Sequence, residues 1–325
     1  MSKKVTLLFP GQGSQYVGMG KKLIPNLQHF FNRADEILGY SLSSLCFEGP
    51  EESLKLTQNT QPAILTYSTA LFTGIKKLLE QEGFQIERVL GHSVGEYSAL
   101  VAAEALSFTD ALKAVNLRGK FMQEAVPVGL GKMVAILKCP EDMVRKACEI
   151  NSTATAQVMP ANFNDPQQIV ISGHASACDK AVEWLNNQPT IKMKAIVLPV
   201  SAPFHSTLMQ PAADKMQEVL NHINFNHLAI PYIANIDAKE YPLHTGAETL
   251  RKNLTQQICG SVLWTQSIQN LPADTLALEV GPGKILTGLV KKINPAINVI
   301  PLDQYENLEQ AFAEVVLCSQ RNIGI

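Results

Sequence analysis

The run Gly91-His92-Ser93-Val94-Gly95 has the pattern G-x-S-x-G. It follows a short apolar stretch, Arg88-Val89-Leu90, and precedes a small-residue segment, 96–105, that reads as a helix. In that setting the pattern predicts a nucleophile elbow. A sharp strand-to-helix turn leaves no room for side chains at its two glycines and lifts the serine Oγ to the end of the sheet. The helix N-terminus, with its positive end and free N–H groups, then faces a developing oxyanion. The pattern also occurs by chance in ordinary turns, so it is the strand–turn–helix context that favours chemistry.

A nucleophilic serine needs a base. The chain has seven histidines, at 29, 92, 174, 205, 222, 227 and 244. His92 adjoins Ser93, and its side chain is expected to point away from Oγ at such a turn. His205 lies in Val200-Ser201-Ala202-Pro203-Phe204-His205-Ser206, expected to be a loop between a strand and a helix, where catalytic residues of α/β folds gather. A lone histidine is more often a hydrogen-bonded structural residue, so His205 is a favourite only. No acidic residue stands out as a third member. Arg118 falls in a predicted helix, where arginines are usually solvated; inside a cleft it would select a carboxylate by bidentate pairing.

The Gly-rich stretch Pro10 to Gly20 invites a phosphate reading, and the details fail. A G-x-G-x-x-G fingerprint would need glycine where Tyr16 stands. Counted from Gly13, Met19 and Gly20 occupy the Lys and Ser/Thr places of a P-loop. A backbone N–H aimed at an acyl oxygen is the better use. Gly281-Pro282-Gly283-Lys284 is a second strand-end loop, either a border of the cleft or a plain turn. The cysteines at 46, 139, 148, 178, 259 and 318 include no C-x-x-C pair, so neither a metal site nor a disulfide framework is expected.

These residues need elements to hold them. Val5 to Phe9 is a continuous apolar run stopped by Pro10-Gly11, which predicts a buried parallel strand. Apolar residues at helical spacing predict a helix over 61–79, with Gly83 just past its end, and another over 109–125. From 132 to 198 the order reads strand, helix, strand, strand, helix, strand, a β-α-β-β-α-β unit. Strand–helix alternation then resumes with a helix over 208–223, a strand over 230–234, a helix over 248–258, a strand over 276–280 and a helix over 284–292. The fold class expected is α/β: a mostly parallel sheet covered on both faces, with the small unit inserted. The boundaries expected are 1–129 with 200–325 for the large part and 130–199 for the small one. The alternative is that the middle strands simply extend the main sheet.

The 325 residues are 46% hydrophobic and 17% charged, with a formal net charge of −2. That is globular composition with no basic footprint for nucleic acid. No stretch approaches the ~20 apolar residues of a membrane span, and the N-terminal apolar run is too short for a signal peptide. The expectation is a cytoplasmic protein.

Together the segments FPGQGSQYVGMG (9–20), QPAILTYS (61–68), GHSVGEYSAL (91–100), LRGKFMQEA (117–125), NFNDPQQIVISG (162–173), VSAPFHSTLM (200–209) and EVGPGKILTGL (279–289) resemble the malonyl-CoA:acyl-carrier-protein transacylases of bacterial fatty acid synthesis. They are similar also to the acyltransferase domains of polyketide synthases. The resemblance implies an α/β-hydrolase-like large domain with a ferredoxin-like insertion. It implies that Ser93 is acylated, that His205 is its base, that Arg118 holds the malonyl carboxylate, and that the backbone N–H groups of Gln12 and Val94 form the oxyanion hole. It implies that a glutamine backbone carbonyl orients the histidine in place of an acid; Gln257 takes that role, with Gln256 as the alternative register. Phe204, directly before His205, is nearer the malonyl than the methylmalonyl pattern of the polyketide domains. Also implied are malonyl-CoA as substrate, a holo acyl carrier protein as partner, no permanently bound cofactor or metal, and a monomer. The competing readings are a standalone acyltransferase serving a polyketide assembly line, an acyl hydrolase, and a non-catalytic carrier-docking module.

Overall fold

The computed structural model describes residues 3–21, 28–200 and 202–321. The predicted central strand is β1, Lys3–Phe9, whose last five residues are wholly buried. Helices α1 (Gln28–Leu38), α2 (Leu42–Glu48) and α3 (Glu51–Leu54) lead to the long α4, Thr57–Gln81. Then come β2 (Phe84–Gly91), α5 (Gly95–Ala102) and α6 (Phe108–Glu124). The middle of the chain supplies β3 (Gly131–Leu137), α7 (Glu141–Asn151), β4 (Val158–Asp165), β5 (Gln168–His174), α8 (Ala175–Asn186) and β6 (Lys194–Val197). After it follow α9 (Gln210–Asn221), β7 (Tyr232–Ile233), β8 (Glu240–Tyr241), α10 (Ala247–Cys259), α11 (Trp264–Gln269), β9 (Leu276–Glu279), α12 (Ile285–Ile293), β10 (Asn298–Pro301) and α13 (Leu308–Arg321).

Two sheets result. The larger runs β10-β9-β1-β2-β7-β8; it is parallel except for its edge strand β8, antiparallel to β7. The smaller is fully antiparallel in the order β4-β5-β3-β6, so the middle strands form their own sheet and do not extend the first. Its outer face, with Val134, Ile136, Ile169 and Ile171, packs with α7 and α8 residues in a separate core. Its inner face, with Met133, Ala135 and Val170, joins the main core and meets Phe204. A parallel bridge between Asn162 and Val262 links β4 to the segment entering α11.

Helix α4 begins earlier than expected and runs through Pro62. Proline cannot donate to the carbonyl four residues back. That carbonyl, on Gln58, accepts from Asn116 Nδ2 of α6 at 3.1 Å instead. Gly119 completes the contact: a Cβ there would stand 2.6 Å from the Thr57 carbonyl oxygen and 2.7 Å from Gln58 Cα. Among the described residues no helix is long and apolar enough to cross a membrane.

Candidate active site

The loops after β1 and β2, one face each of α4 and α6, residues of β3, β4 and β5 in the small sheet, and the segment between β6 and α9 line one cavity of about 150 Å³. Gln12, Ser93, Arg118, Phe204 and His205 all line it.

The elbow forms as the glycine pattern requires. A Cβ on Gly91 would run into the Gly95 backbone, and one on Gly95 into the Phe9 carbonyl. Ser93 sits between them with φ 53°, the left-handed region that non-glycine residues rarely enter. Its N–H donates to Asn235 Oδ1 at 2.7 Å, and Asn235 Nδ2 in turn donates to the Gly91 carbonyl at 2.6 Å. The elbow is thus clamped from the end of β7.

His205 is also left-handed, with φ 57°. Its loop is tied by Ser206 Oγ donating to the Pro203 carbonyl at 2.6 Å. Ser201, expected in the same loop, lies outside the described residues. His205 Nε2 stands 2.7 Å from Ser93 Oγ, and Nδ1 stands 2.8 Å from the Gln257 backbone carbonyl. A carbonyl only accepts, so Nδ1 carries the proton and Nε2 is free to accept from the serine. Of the two adjacent glutamines, it is Gln257 whose carbonyl faces Nδ1. Burial, and then the Arg118 charge, push the His205 imidazole down to about 3, so it is neutral near pH 7.

Arg118 is 1% exposed, which rules out the solvated-surface alternative. Nη1 donates to Gln61 Oε1 at 2.8 Å; Nη2 donates to Gln257 Oε1 at 2.7 Å and reaches Ser93 Oγ at 3.3 Å. Nε is buried without a partner, and among the described residues the guanidinium forms no ion pair. Burial lowers its pKa, but an arginine stays charged.

The backbone N–H groups of Gln12 and Val94 donate no hydrogen bond among the described residues. His92 points away from the serine, with Nε2 2.8 Å from Asn164 Oδ1 and its ring edge-on to Trp264. The Gly281–Gly283 turn stays off the cavity. It backs Pro10 and Ser68, and the Gly283 N–H donates to Asp303 at 2.6 Å. Of its two readings, the plain turn is the one the structure adopts. Among the described residues no group of three His, Cys, Asp or Glu side chains is placed to hold a metal.

A half-buried serine, a neutral base and an unpaired cation within one cavity suit acyl transfer, and the comparisons agree. A family model described as an acyl transferase domain matches residues 6–288. The chain belongs to the acyl transferase domain family. The malonyl CoA-acyl carrier protein transacylase of Bacillus subtilis (strain 168) is 43% identical over 313 residues, covering 95% of this chain and 96% of that protein. Its counterpart in Escherichia coli (strain K12) is 42% identical over 304 residues, covering 91% and 95%. The solved malonyl CoA-acyl carrier protein transacylase of Coxiella burnetii superposes with a TM-score of 0.90 at 36% identity, covering 98% of this chain and 99% of that one. A malonyl-transacylase solved in complex with a type II polyketide acyl carrier protein gives 0.87 at 36% identity, covering 98% and 100%.

Sequence reasoning passed over four side chains that build this acyl transferase site: Gln61, Glu96, Asn164 and Asn235. Glu96 carried a signal, being a lone acid among Gly95, Tyr97, Ser98 and Ala99 in a helix too small-sided to be exposed. Asn235 carried none, because nothing local ties the end of a two-residue strand to a serine 142 positions earlier.

Proposed function

We propose that this acyl transferase moves a malonyl group from malonyl-CoA to the phosphopantetheine thiol of an acyl carrier protein in fatty acid biosynthesis, through a malonyl ester on Ser93. His205 Nε2 accepts the Ser93 proton as Oγ bonds to the thioester carbonyl carbon. The backbone N–H groups of Gln12 and Val94 stabilise the oxyanion. The C–S bond breaks, and coenzyme A leaves with the proton that His205 returns. The carrier's thiol then gives its proton to His205, attacks the ester carbonyl, and the Ser93 Oγ–C bond breaks with the proton going back to Oγ. Gln257 holds the imidazole in the productive tautomer through its carbonyl. Phe204 narrows the cavity beside the acyl group and sets selectivity against branched malonyl groups.

The observation that carries this reading is Arg118: a buried cation without a carboxylate partner, 3.3 Å from the nucleophile. It selects an acyl group with a free carboxylate and holds it there. A hydrolase for varied acyl groups has no use for such a clamp, and a docking module has no use for the Ser93–His205 pair. In this reading residues 130–199 fold as a small insert into a large unit of 1–129 and 200–325. The enzyme works in the cytoplasm as a monomer and keeps no permanent cofactor.

The test is intact mass with peptide mapping after mixing the protein with malonyl-CoA, and separately with acetyl-CoA and methylmalonyl-CoA. The expected result is a malonyl adduct on Ser93, absent with acetyl-CoA, that chases onto holo carrier protein. Rapid release of free malonate would instead make the protein a hydrolase. Chasing onto fatty acid and polyketide carriers side by side assigns the pathway.

A further inference from the structure

Glu96 lies one turn beyond Ser93, wholly buried, and none of the transfer steps uses it. Oε2 accepts from Gln257 Nε2 at 2.6 Å and from the Asn235 N–H at 3.3 Å. Oε1 is buried with no hydrogen-bond partner among the described residues. A buried carboxyl with one oxygen unsatisfied is costly to the fold, so a scaffold role alone accounts for it poorly.

What Glu96 does hold is the Gln257 amide. That amide is the hub of the site: its NH2 donates to Glu96 and to the Ser93 carbonyl at 2.9 Å, and its oxygen accepts from Arg118 Nη2 at 2.7 Å. The two ends of an amide are not interchangeable here. Glu96 Oε2 accepts whether the carboxyl is ionised or carries its proton on Oε1, the Ser93 carbonyl only accepts, and Arg118 only donates. A flipped amide would set NH2 against guanidinium and turn its oxygen toward both acceptors. We infer that Glu96 is a positioning residue, locking the Gln257 amide and through it aiming the Arg118 fork at the acyl group on Ser93. The inference rests on Arg118 being the carboxylate clamp.

The charges around Glu96 give the idea a distinctive signature. Facing it are Arg118 from α6, Tyr97 from its own helix, Tyr232 and Tyr241 from β7 and β8, and Asp237 from the turn between them. Burial pushes the Glu96 carboxyl up to about 7, while Gln257, Asn235 and Arg118 pull the other way. Burial raises the three tyrosines too, Tyr97 to about 12, which keeps them neutral near pH 7. A malonyl carboxylate on Arg118 brings a second negative charge to the same dry region. By reciprocity, ionised Glu96 weakens malonyl binding as much as bound malonyl disfavours that ionisation.

The experiment measures the rate of Ser93 acylation against malonyl-CoA concentration for wild type, Glu96→Gln and Glu96→Ala, from acid to alkaline pH. Glu96→Ala is expected to raise KM for malonyl-CoA about tenfold, with a smaller fall in kcat, as loss of aim at one charged contact would. Glu96→Gln keeps an acceptor for the Gln257 NH2 and is expected to recover KM to within about threefold of wild type near neutral pH. In wild type, KM climbs as pH passes upward through about 7; in Glu96→Gln that climb is gone. The substrate's own phosphates titrate alike with both enzymes and cancel in the comparison. An unchanged KM in Glu96→Ala, or one shared KM–pH curve for wild type and Glu96→Gln, overturns the inference; the second comparison decides if Glu96→Ala does not fold. If wild type acylates Ser93 with malonyl and only these differences fail, the transfer reading stands and the Glu96 role alone is lost. If wild type forms no malonyl ester, both fall.

Discussion

The proposed reaction places its chemistry on Ser93, His205 and Arg118, side chains whose type already restricts what they can do. That is why they were legible in the sequence. Two of their supports were not: Gln61 and Asn235 act by where they are, and neutral amides look alike wherever they stand. Two outcomes belong to this scale. Arg118→Ala should cut kcat/KM for malonyl-CoA by about 100-fold or more, as truncating one partner of a buried charge pair costs a few kcal/mol, and should narrow the preference over acetyl-CoA; competition between the two thioesters measures it. Because the imidazole titrates near 3, its base form persists through the range where ordinary histidines protonate, about 6.5. The acylation rate at saturating malonyl-CoA should therefore show no histidine limb between pH 8 and pH 5 in single-turnover experiments.

The elements that carry these side chains were read with uneven success, for physical reasons. The central strand β1 and the elbow helix α5 were plain because one is continuously apolar and the other is flanked by obligatory glycines. Helix α4 was expected to begin at 61, where the apolar helical spacing starts; the Asn116 contact to the orphaned Gln58 carbonyl lets the helix start at Thr57 and run through Pro62. The strands β8 and β10, of two and four residues, have no periodicity of their own and exist because a neighbouring strand pairs with them. The α4–α6 contact has a measurable consequence. Gly119→Ala puts a methyl group against the Thr57 carbonyl and moves α6 outward, and with it Arg118, the adjacent residue. The fold should survive at a cost of about 1–3 kcal/mol, typical of overpacking, while kcat/KM for malonyl-CoA falls more than that for acetyl-CoA. Denaturant melts and paired kinetics separate the two effects.

Over the whole molecule, the α/β class and the β-α-β-β-α-β order of the small sheet followed from strand–helix alternation. The order of the large sheet did not, since β1 pairs with strands more than 80 and 270 residues away and no local pattern encodes such partners. Folding buries Glu96, Arg118 and His205 together, and stability must register that. Glu96 is held at about 7 in the fold, against an ordinary 4.5. Its contribution is fully present below about 4.5 and is lost as pH rises through about 7. His205 works the opposite way: its contribution is present above its ordinary 6.5 and is lost as pH falls toward about 3. Glu96→Gln should therefore gain on the order of 2 kcal/mol relative to wild type on going from pH 4 to pH 8, read from denaturant midpoints at both values.

The left-handed backbone at Ser93 has one more consequence. Ser93→Ala and Ser93→Gly both remove the hydroxyl and both should abolish transfer, but only glycine is at ease at φ 53°. The glycine variant should be the more stable by about 1 kcal/mol, visible as a later melt in calorimetry. His205, at φ 57°, sits under the same tension. A screen for heat tolerance alone would thus drift toward glycine at the two positions to which the proposed reaction assigns nucleophile and base: durability and catalysis would pull on the same pair of residues in opposite directions.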